Sequence, residues 1–326
     1  MKLIHSSFAG LLIGLPYALS LPLDTLSCPL TFDGRIPQNF TRDTFETVQS
    51  PFNPKHVLGQ NQTWREVISF PDVEPSIFDQ VAGTKPIEVE ITDRSVFASS
   101  SEGRETALRR AELLVNGKNQ TVSGKVTWLF SMRTSPYALN LSHEYLLAFH
   151  EAQDFQADFW SLKVGLPMQE TLRGPNGTGG GDDLAAYGEN IGFIHPDVTE
   201  SMLKTGSVIY LQGWKWAKKV QTYFMAPFTP DIWHNFGLYL DFDDNQMQIA
   251  YSTGEDGLKI VTPLLANNIS GKAPTTLGET HWGLQKRPVG ANINNFLFEG
   301  LQLHGIRERL TIGGILQVRG SLEDCS

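Results

Sequence analysis

The sequence predicts an all-β protein, an antiparallel β-sandwich of the jelly-roll type. Short apolar or alternating segments recur along the chain, turn residues bound them, and helical periodicity is scarce. Many short strands without intervening helices are typical of sandwiches and jelly rolls rather than of α/β folds. A chain of 326 residues suggests about two domains by length, but an all-β sandwich reaches roughly 250 residues as one domain.

Six segments carry the strand pattern. Residues 86–91 alternate apolar and acidic side chains with a period of two, as a half-buried strand does. The other five segments are 125–132, 144–151, 234–242, 246–251 and 313–318. Asp243, Asp244 and Asn245 predict a hairpin turn. Because the acidic group of Asp241, Asp243 and Asp244 lacks the spacing of a calcium loop, we interpret it as a solvated turn. Residues 197–204 are the one short helix candidate.

The first twenty residues predict a secretory signal peptide. Lys2 precedes an apolar run at 8–15, and small residues within 18–20 offer a cleavage site. The run is far shorter than the roughly 20 apolar residues that span a membrane, and no later segment reaches that length. We therefore expect a secreted, extracellular protein with one mature domain, 21–326, in which the glycine-rich segment 174–183 forms a long loop.

Secretion predicts covalent features that the sequence contains. Asn-X-Ser/Thr glycosylation signals occur at Asn39, Asn61, Asn119, Asn140, Asn176 and Asn268. The two cysteines, Cys28 and Cys325, lie at opposite ends of the mature chain. In an oxidising compartment they predict one disulfide and terminal strands that lie side by side. The alternative is a pair of unbonded thiols.

Composition and missing motifs exclude several functions. The net charge is −9 and no run is rich in lysine or arginine, so neither nucleic acid nor a membrane is a predicted partner. Two cysteines exclude a thiolate zinc cluster. The sequence has no nucleophile elbow, zinc-protease motif, P-loop or dinucleotide fingerprint, so we predict no cofactor and no metal. Carboxylates, histidines and aromatic rings remain, and this set suits sugar chemistry.

A first candidate site lies in the segment 108–115. In a strand, Ala111, Leu113 and Val115 share a core face, and Arg110 and Glu112 share the opposite face. A guanidinium beside a carboxylate lowers the carboxyl pKa, so Glu112 would stay ionised and act as a base. The alternative is a solvated surface ion pair of small effect.

A second candidate site lies in the segment 140–151. Regular alternation places Glu144 and His150 on one face, and Glu151 on the other. Glu144 in apolar surroundings would have a raised pKa and suit a general acid, and His150 would line the same cleft. The alternatives are an acid in solvent at the strand end and a hydrogen-bonded core histidine.

Three further residues are candidates by position. His234 opens a strand, where it would orient a carboxylate or a water, or have no role at a strand edge. Trp214 and Trp216 are two residues apart and share a strand face. They would form a stacking platform for sugar rings, or simply belong to the core.

An ordered series of segments resembles fungal glycoside hydrolase family 131. The resemblance runs from about residue 28 to the C-terminal strand, and each segment alone is weak. The segments are Cys28-Pro29-Leu30-Thr31-Phe32-Asp33-Gly34-Arg35, Ser50-Pro51-Phe52-Asn53-Pro54, Gly59-Gln60-Asn61, Arg109-Arg110-Ala111-Glu112-Leu113, Asn140-Leu141-Ser142-His143-Glu144-Tyr145, Trp233-His234-Asn235-Phe236, Leu240-Asp241-Phe242 and Tyr251-Ser252-Thr253-Gly254.

The resemblance implies a jelly roll with an open groove and a secreted, monomeric enzyme that hydrolyses β-1,3, β-1,6 and β-1,4 bonds of β-glucans with inversion. It implies the catalytic residues Glu112, Glu144 and His234. Glu151 and His143 are substitutes, and His143 is also a candidate for binding substrate. Glu112 is assigned as base because Arg110 favours its ionised form, which leaves Glu144 as acid, and the reverse assignment stays open.

Two rival functions are compatible with the same fold. A non-catalytic glucan-binding lectin needs the groove and the aromatic residues but not the acid pair. A polysaccharide lyase acts on uronic acids and needs cationic residues around the substrate carboxylate, which the net charge of −9 does not favour.

Overall fold

The computed structural model describes residues 28–57, 59, 62–98, 105–115, 121–153, 158–167, 183–188, 191–215, 220–267, 278–287 and 305–324. The predicted signal peptide and most of the predicted loop 174–183 lie outside these residues. So do Cys325, Trp216 and four of the six glycosylation signals, at Asn61, Asn119, Asn176 and Asn268.

Strands dominate the described chain, and its few helices are short. The strands are β1 (Leu30–Asp33), β2 (Ile36–Pro37), β3 (Ile68–Ser69), β4 (Thr84–Lys85), β5 (Ile87–Thr92), β6 (Val96–Ala98), β7 (Glu105–Leu114), β8 (Lys125–Arg133), β9 (Glu144–Ala152), β10 (Asp158–Val164), β11 (Val208–Gln212), β12 (Thr222–Pro227), β13 (His234–Asp241), β14 (Gln246–Thr253), β15 (Lys259–Ile260), β16 (Leu265–Ala266), β17 (Gly278–Arg287) and β18 (Arg307–Arg319). The helices are α1 (Trp64–Val67), α2 (Ile77–Ala82) and α3 (Glu200–Thr205), with 3-10 turns at Arg42–Glu46 and Asp183–Tyr187. Within this part of the chain, no helix has the length and apolar character needed to cross a membrane.

The strands form two large sheets whose neighbouring strands run antiparallel. The larger sheet has the order β15-β14-β13-β8-β18-β5-β3, with β1 beside β18 and β16 beside β14. The smaller, seven-stranded sheet has the order β12-β11-β10-β9-β17-β7-β6. The predicted jelly-roll sandwich is confirmed. All six predicted strand segments are strands, and the predicted short helix corresponds to α3.

One apolar core joins the two sheets. Trp128 and Phe130 of β8 face Trp282 of β17, with ring centroids 5.1 and 4.7 Å apart. These three rings are fully buried. Because the core occupies one face of the seven-stranded sheet, the side chains that alternate with it on β7, β9 and β17 lie on the opposite face. We call this opposite face the outer face.

The two ends of the described chain meet in the larger sheet. β1 pairs with β18, and Leu30 lies opposite Val318. Cys28 packs against the apolar cluster that contains Leu322, three residues before Cys325. The predicted neighbouring terminal strands are therefore present, and the Cys28–Cys325 disulfide stays a prediction.

The acidic segment after β13 is a turn, as predicted, and Asp243 and Asp244 are exposed, but Asp241 is buried rather than solvated. Asp241 accepts hydrogen bonds from the backbone N–H groups of Asp243 and Asp244, both at 3.0 Å, and lies 3.2 Å from Lys125. Asn245 has a φ of 53°, which suits asparagine in a turn. The carboxylate of Asp241 is thus already bound by two backbone N–H groups and by Lys125.

Candidate active site

β7 presents a buried ion pair on the outer face. Its alternation is regular, so Ala111 and Leu113 enter the core while Arg110 and Glu112 point the other way, as predicted. The guanidinium of Arg110 donates from Nε and Nη2 to the two carboxylate oxygens of Glu112, at 2.8 and 2.9 Å. Glu112 is only 1% exposed, so this pair is not a solvated surface ion pair.

A bulge in β9 changes which side chains reach the outer face. On the neighbouring β10, Leu162 pairs with Ala148 and the next residue, Lys163, pairs with Leu146, so Leu147 has no partner in this ladder. One extra residue reverses the alternation beyond it. As a result Glu144 and Glu151, at the two ends of β9, lie on the same face as Glu112.

The same bulge turns His150 into the core, so its predicted place in the substrate cleft is wrong. The ring of His150 is buried, contacts Phe159 and Phe242, and has its Nδ1 atom 3.1 Å from the hydroxyl of Thr280. Regular alternation would have placed it beside Glu144. The inserted Leu147 is the physical reason for the difference.

β17 lies between β7 and β9 and carries the residue that connects their glutamates. The Nδ1 atom of His281 lies 3.0 Å from Glu112, and its Nε2 atom lies 3.3 Å from Glu279 and 3.7 Å from Glu151. The ring also stacks on Phe149, with centroids 4.5 Å apart. We call Arg110, Glu112, Glu151, Glu279 and His281 the glutamate–histidine cluster.

A glycine brings β7 and β17 close together at this point. Gly283 pairs with Glu112 and has a φ of 148°. A Cβ atom there would lie 2.3 Å from the carbonyl oxygen of Ala111. Glycine within a strand permits this close backbone approach.

Charge interactions give the members of this cluster different protonation states. Burial opposes ionisation of Glu112, but Arg110 and His281 outweigh it and lower its pKa to about 2. Burial also disfavours the imidazolium of His281, yet contacts with Glu112 and Glu279 raise its pKa to about 9. Contact with His281 lowers the pKa of Glu279. Near neutral pH, the cluster therefore holds a cationic ring beside ionised carboxylates.

Glu151 is the exception among these carboxyl groups. Burial raises its pKa to about 7 despite the pull of His281, and the negative charge of Asp158 adds to the increase. Its side chain is 23% exposed, against 1% for Glu112. Glu151 therefore keeps its proton up to about neutral pH, and its side chain is partly accessible to solvent.

Glu144 belongs to a second group on the outer face. Its carboxylate lies 3.4 Å from Arg287 and 3.8 Å from Lys163, and it accepts a hydrogen bond from the hydroxyl of Tyr210 at 3.3 Å. With the bulge residue left out, six steps of about 3.3 Å place it roughly 20 Å along β9 from Glu151. The structure thus brings Glu112 together with Glu151, the predicted substitute, rather than with Glu144. We call Glu144, Lys163, Tyr210 and Arg287 the Glu144 cluster.

His234 lies in the other sheet, so its predicted catalytic role is wrong. It is buried on β13, its Nδ1 atom is 2.7 Å from the hydroxyl of Tyr251, and its Nε2 atom accepts from the backbone N–H of Thr229 at 3.2 Å. Burial lowers its pKa to about 4, so the ring is neutral. Its position in the nine-stranded sheet separates it from both groups on the outer face.

Two further candidates, Trp214 and His143, lie apart from the glutamate–histidine cluster. Trp214 is buried in the core between the sheets, so it offers no surface for stacking sugar rings, and its predicted partner Trp216 lies outside the described residues. His143 precedes β9 and lines a cavity with Lys286, away from the glutamate–histidine cluster. His143 lies there because it belongs to the loop before β9, whereas Glu151 lies in the strand beyond the bulge.

Glu279 and His281 are not among the residues predicted from the sequence, although the sequence contains a signal for them. The segment Gly278–Arg287 alternates polar residues with Thr280, Trp282 and Leu284. Such alternation is typical of a strand with one core face, and it puts Glu279 and His281 on the other face. The carboxylate and the imidazole share that face only because this segment is a strand.

Metal-ligating atoms occur in two overlapping groups among the described residues. They are His56, Glu112 and His281, and Glu151, Glu279 and His281, each within 4.8 Å of one another. Both groups need His281, whose ring the neighbouring carboxylates favour as an imidazolium. Binding of a metal at either group would have to release that proton.

Comparisons with known proteins agree with this architecture. The family model for the glycoside hydrolase 131 catalytic N-terminal domain matches residues 30–182 and 187–318. No curated protein sequence matches the chain.

Two solved structures show the same fold. The chain is similar to a GH131 β-glucanase catalytic domain from Podospora anserina, with 17% identity, a TM-score of 0.58, and coverage of 90% of this chain and 97% of that one. It is also similar to the catalytic domain of a glycoside hydrolase family 131 protein from Coprinopsis cinerea, with 15% identity, a TM-score of 0.55, and coverage of 89% and 94%. Because the family model spans most of the sequence, the chain belongs to glycoside hydrolase family 131 and is a glycoside hydrolase.

Proposed function

We propose that this protein is a secreted β-glucan hydrolase that cleaves β-1,3, β-1,6 and β-1,4 glucosidic bonds with inversion, in a groove over the outer face. The observation that carries the proposal is the position of His281, between the ionised Glu112 at Nδ1 and the protonated Glu151 at Nε2. Family membership and the β-glucanase from Podospora anserina support the substrate class.

In this proposal Glu151 is the general acid. Protonation of the departing glycosidic oxygen requires a carboxyl group that keeps its proton near the working pH and reaches the substrate. Glu151 has a pKa of about 7 and a side chain that is 23% exposed. It therefore replaces Glu144, which the sequence pattern favours for this role.

Glu112 is the general base of the proposal, with Arg110 and His281 as its positioning residues. Arg110 donates one hydrogen bond to each carboxylate oxygen of Glu112, and His281 Nδ1 lies 3.0 Å from one of them. A carboxylate has about four lone-pair positions, so it keeps capacity for the attacking water, which must reach a side chain that is only 1% exposed. Glu112 and Glu151 lie at opposite nitrogens of one imidazole, which is compatible with the roughly 6.5–9.5 Å spacing of an inverting pair.

The Glu144 cluster is assigned to substrate binding farther along the groove. Its four polar side chains line up on β9, β10, β11 and β17, on the same face as the catalytic pair. Sugar hydroxyl groups both donate and accept hydrogen bonds, so a mixed set of carboxylate, hydroxyl and cationic donors suits them.

The test is product analysis on separate β-1,3, β-1,6 and β-1,4 glucans, with NMR detection of the first anomer released. We expect reducing sugar from all three and an initial α-anomer. Absence of any release, with glucan binding retained, would support a non-catalytic lectin instead. An initial β-anomer would contradict inversion and would implicate Glu279, whose carboxylate lies within 4.8 Å of Glu151 and is 31% exposed.

The pH dependence follows from the two carboxyl groups. Glu112 must be ionised, and its pKa of about 2 keeps it so at ordinary acidic pH. Glu151 must be protonated, and its pKa of about 7 means that this form is lost as the pH rises through 7. We expect kcat/KM, measured from pH 3 to 9, to be flat in acid and to fall about tenfold per unit above pH 7. A fall that begins near pH 4.5 would contradict this assignment of the acid.

We further propose that residues 21–326 are one extracellular domain that acts as a monomer and carries N-linked glycans. Asn39 and Asn140, the two glycosylation signals within the described residues, are both exposed. Expression in a eukaryotic secretory host, followed by N-terminal sequencing and intact-mass measurement, tests cleavage near Ser20 and the presence of glycans.

A further inference from the structure

A polar cavity lies where the loop before β9 meets β17 and the start of β18, on the other side of the seven-stranded sheet from the glutamate–histidine cluster. Its volume is about 880 Å³, and its lining includes Lys286 of β17 and Glu308 of β18. Lys286 precedes Arg287 on β17 and therefore points away from the outer face. A ligand in this cavity would leave the proposed catalytic groove free.

The floor of the cavity carries a buried carboxylate with an unused acceptor. Oε1 of Glu308 accepts hydrogen bonds from the ammonium of Lys286 at 2.6 Å and from the hydroxyl of Tyr145 at 2.8 Å. Oε2 is buried, and the described residues give it no hydrogen-bond partner. Buried acceptors are usually satisfied, so this oxygen favours a ligand that brings an O–H or N–H donor.

The charges around the cavity favour a neutral ligand. Its two described cationic side chains are both engaged, because Glu308 binds Lys286 and Glu90 binds Arg307 at 2.9 Å. Burial and the nearby Lys286 also lower the pKa of His143 to about 4, so that ring is uncharged. With its cations neutralised, the lining offers little to a phosphate or a uronic acid.

The rim carries a fully exposed aromatic ring. The side chain of Tyr137 is fully exposed, and its φ is 61°. It lies in a turn that is closed by a hydrogen bond from the N–H of Ala138 to the carbonyl of Ser135. With Pro136 before it, this position normally favours glycine or asparagine, and an aromatic residue there is unusual. An exposed ring in a disfavoured backbone conformation is consistent with a binding role rather than a folding role.

We propose that this cavity is a second carbohydrate-binding site, which holds a neutral glucan chain by stacking on Tyr137 and by a sugar hydroxyl donated to Oε2 of Glu308 once the lining shifts to uncover that oxygen. The site would keep the enzyme on an insoluble polymer while the outer face acts on another part of it. The proposal concerns binding alone and does not depend on the assignment of the acid and base.

The test compares Tyr137→Gly with Val48→Ala, a control that also trims an exposed apolar side chain. Unglycosylated full-length mature protein is run in native gels that contain laminarin or barley β-glucan. We expect Tyr137→Gly to bind about fivefold or more weakly than the wild type, and Val48→Ala to bind unchanged. Because glycine accepts a positive φ, Tyr137→Gly should melt no lower than the wild type. Equal retardation of the two variants would overturn the proposal.

Two further measurements distinguish an external glucan from a glycan that the protein itself carries. Asn140 also lines the cavity, so a glycan attached there is a second possible source of the ligand. The proposal of an external glucan is wrong if the unglycosylated protein fails to bind glucan and the glycan at Asn140 resists endoglycosidase. In that case the cavity holds the protein's own glycan. Hydrolysis of a short soluble oligosaccharide should be unchanged in Tyr137→Gly. Failure of the wild-type protein to hydrolyse the oligosaccharide, with glucan binding intact, would contradict only the proposed enzyme function.

Discussion

Replacing Glu151 with glutamine is expected to lower kcat/KM on barley β-glucan by about 10²–10⁴-fold, the usual contribution of a general acid. The amide keeps the shape of the side chain but cannot give a proton to the departing oxygen. Binding should change little, so the loss should appear in kcat. Initial rates of reducing-sugar release, together with affinity for the polymer, measure the two effects separately.

Glu144→Gln is the matched control, because Glu144 lies on the same strand and the same face as Glu151. It contacts Arg287 and Tyr210 and has a proposed role in substrate binding, so its replacement should mainly raise KM. Together, the two variants show which carboxyl group of β9 is the general acid. A collapse of kcat in Glu144→Gln, with near wild-type kcat in Glu151→Gln, would reverse the assignment.

The second large effect is expected from Glu112→Gln, which should lower both activity and stability. Loss of the base charge should reduce kcat by at least about 10²-fold. The guanidinium of Arg110 would remain buried without its counter-charge, which typically costs about 3–5 kcal/mol. Urea denaturation gives the change in the free energy of unfolding, and initial rates give the change in kcat.

A double replacement separates the two consequences. Arg110→Met combined with Glu112→Leu removes both charges and fills similar space, and exchanging a buried ion pair for apolar residues is often neutral or stabilising. We expect this variant to regain most of the stability and none of the activity. Recovery of activity along with stability would show that Glu112 has only a structural role.

Regular local pattern makes part of the site predictable. From Arg109 to Leu114, β7 pairs with β17 in unbroken register, so the positions of Arg110 and Glu112 follow from a period of two. β9 contains one additional residue at Leu147, and every position after it changes face. Nothing in the composition of 144–151 marks that bulge, which depends on pairing with β10. A strict period of two therefore assigns His150 and Glu151 to the wrong faces and favours Glu144 as the acid.

The remaining part of the site depends on contacts between distant segments. Glu112 and His281 are far apart in sequence and meet because β17 pairs with both β7 and β9. The alternation in 278–287 indicates a strand with a polar face, but strand order is a tertiary property that one sequence does not reveal. His234 shows the opposite case, because it opens a predicted strand that belongs to the other sheet.

The place of β18 in the larger sheet bears on how the protein is made. β18 lies between β8 and β5, yet it follows them by more than 170 residues. Ribosomes deliver the N-terminal strands first, so the edges of β5 and β8 that face β18 stay unpaired until the segment that begins at Arg307 has been synthesised. Such edges attract other chains. A chain whose synthesis stops before Arg307 should therefore fail to refold by itself and should bind chaperones.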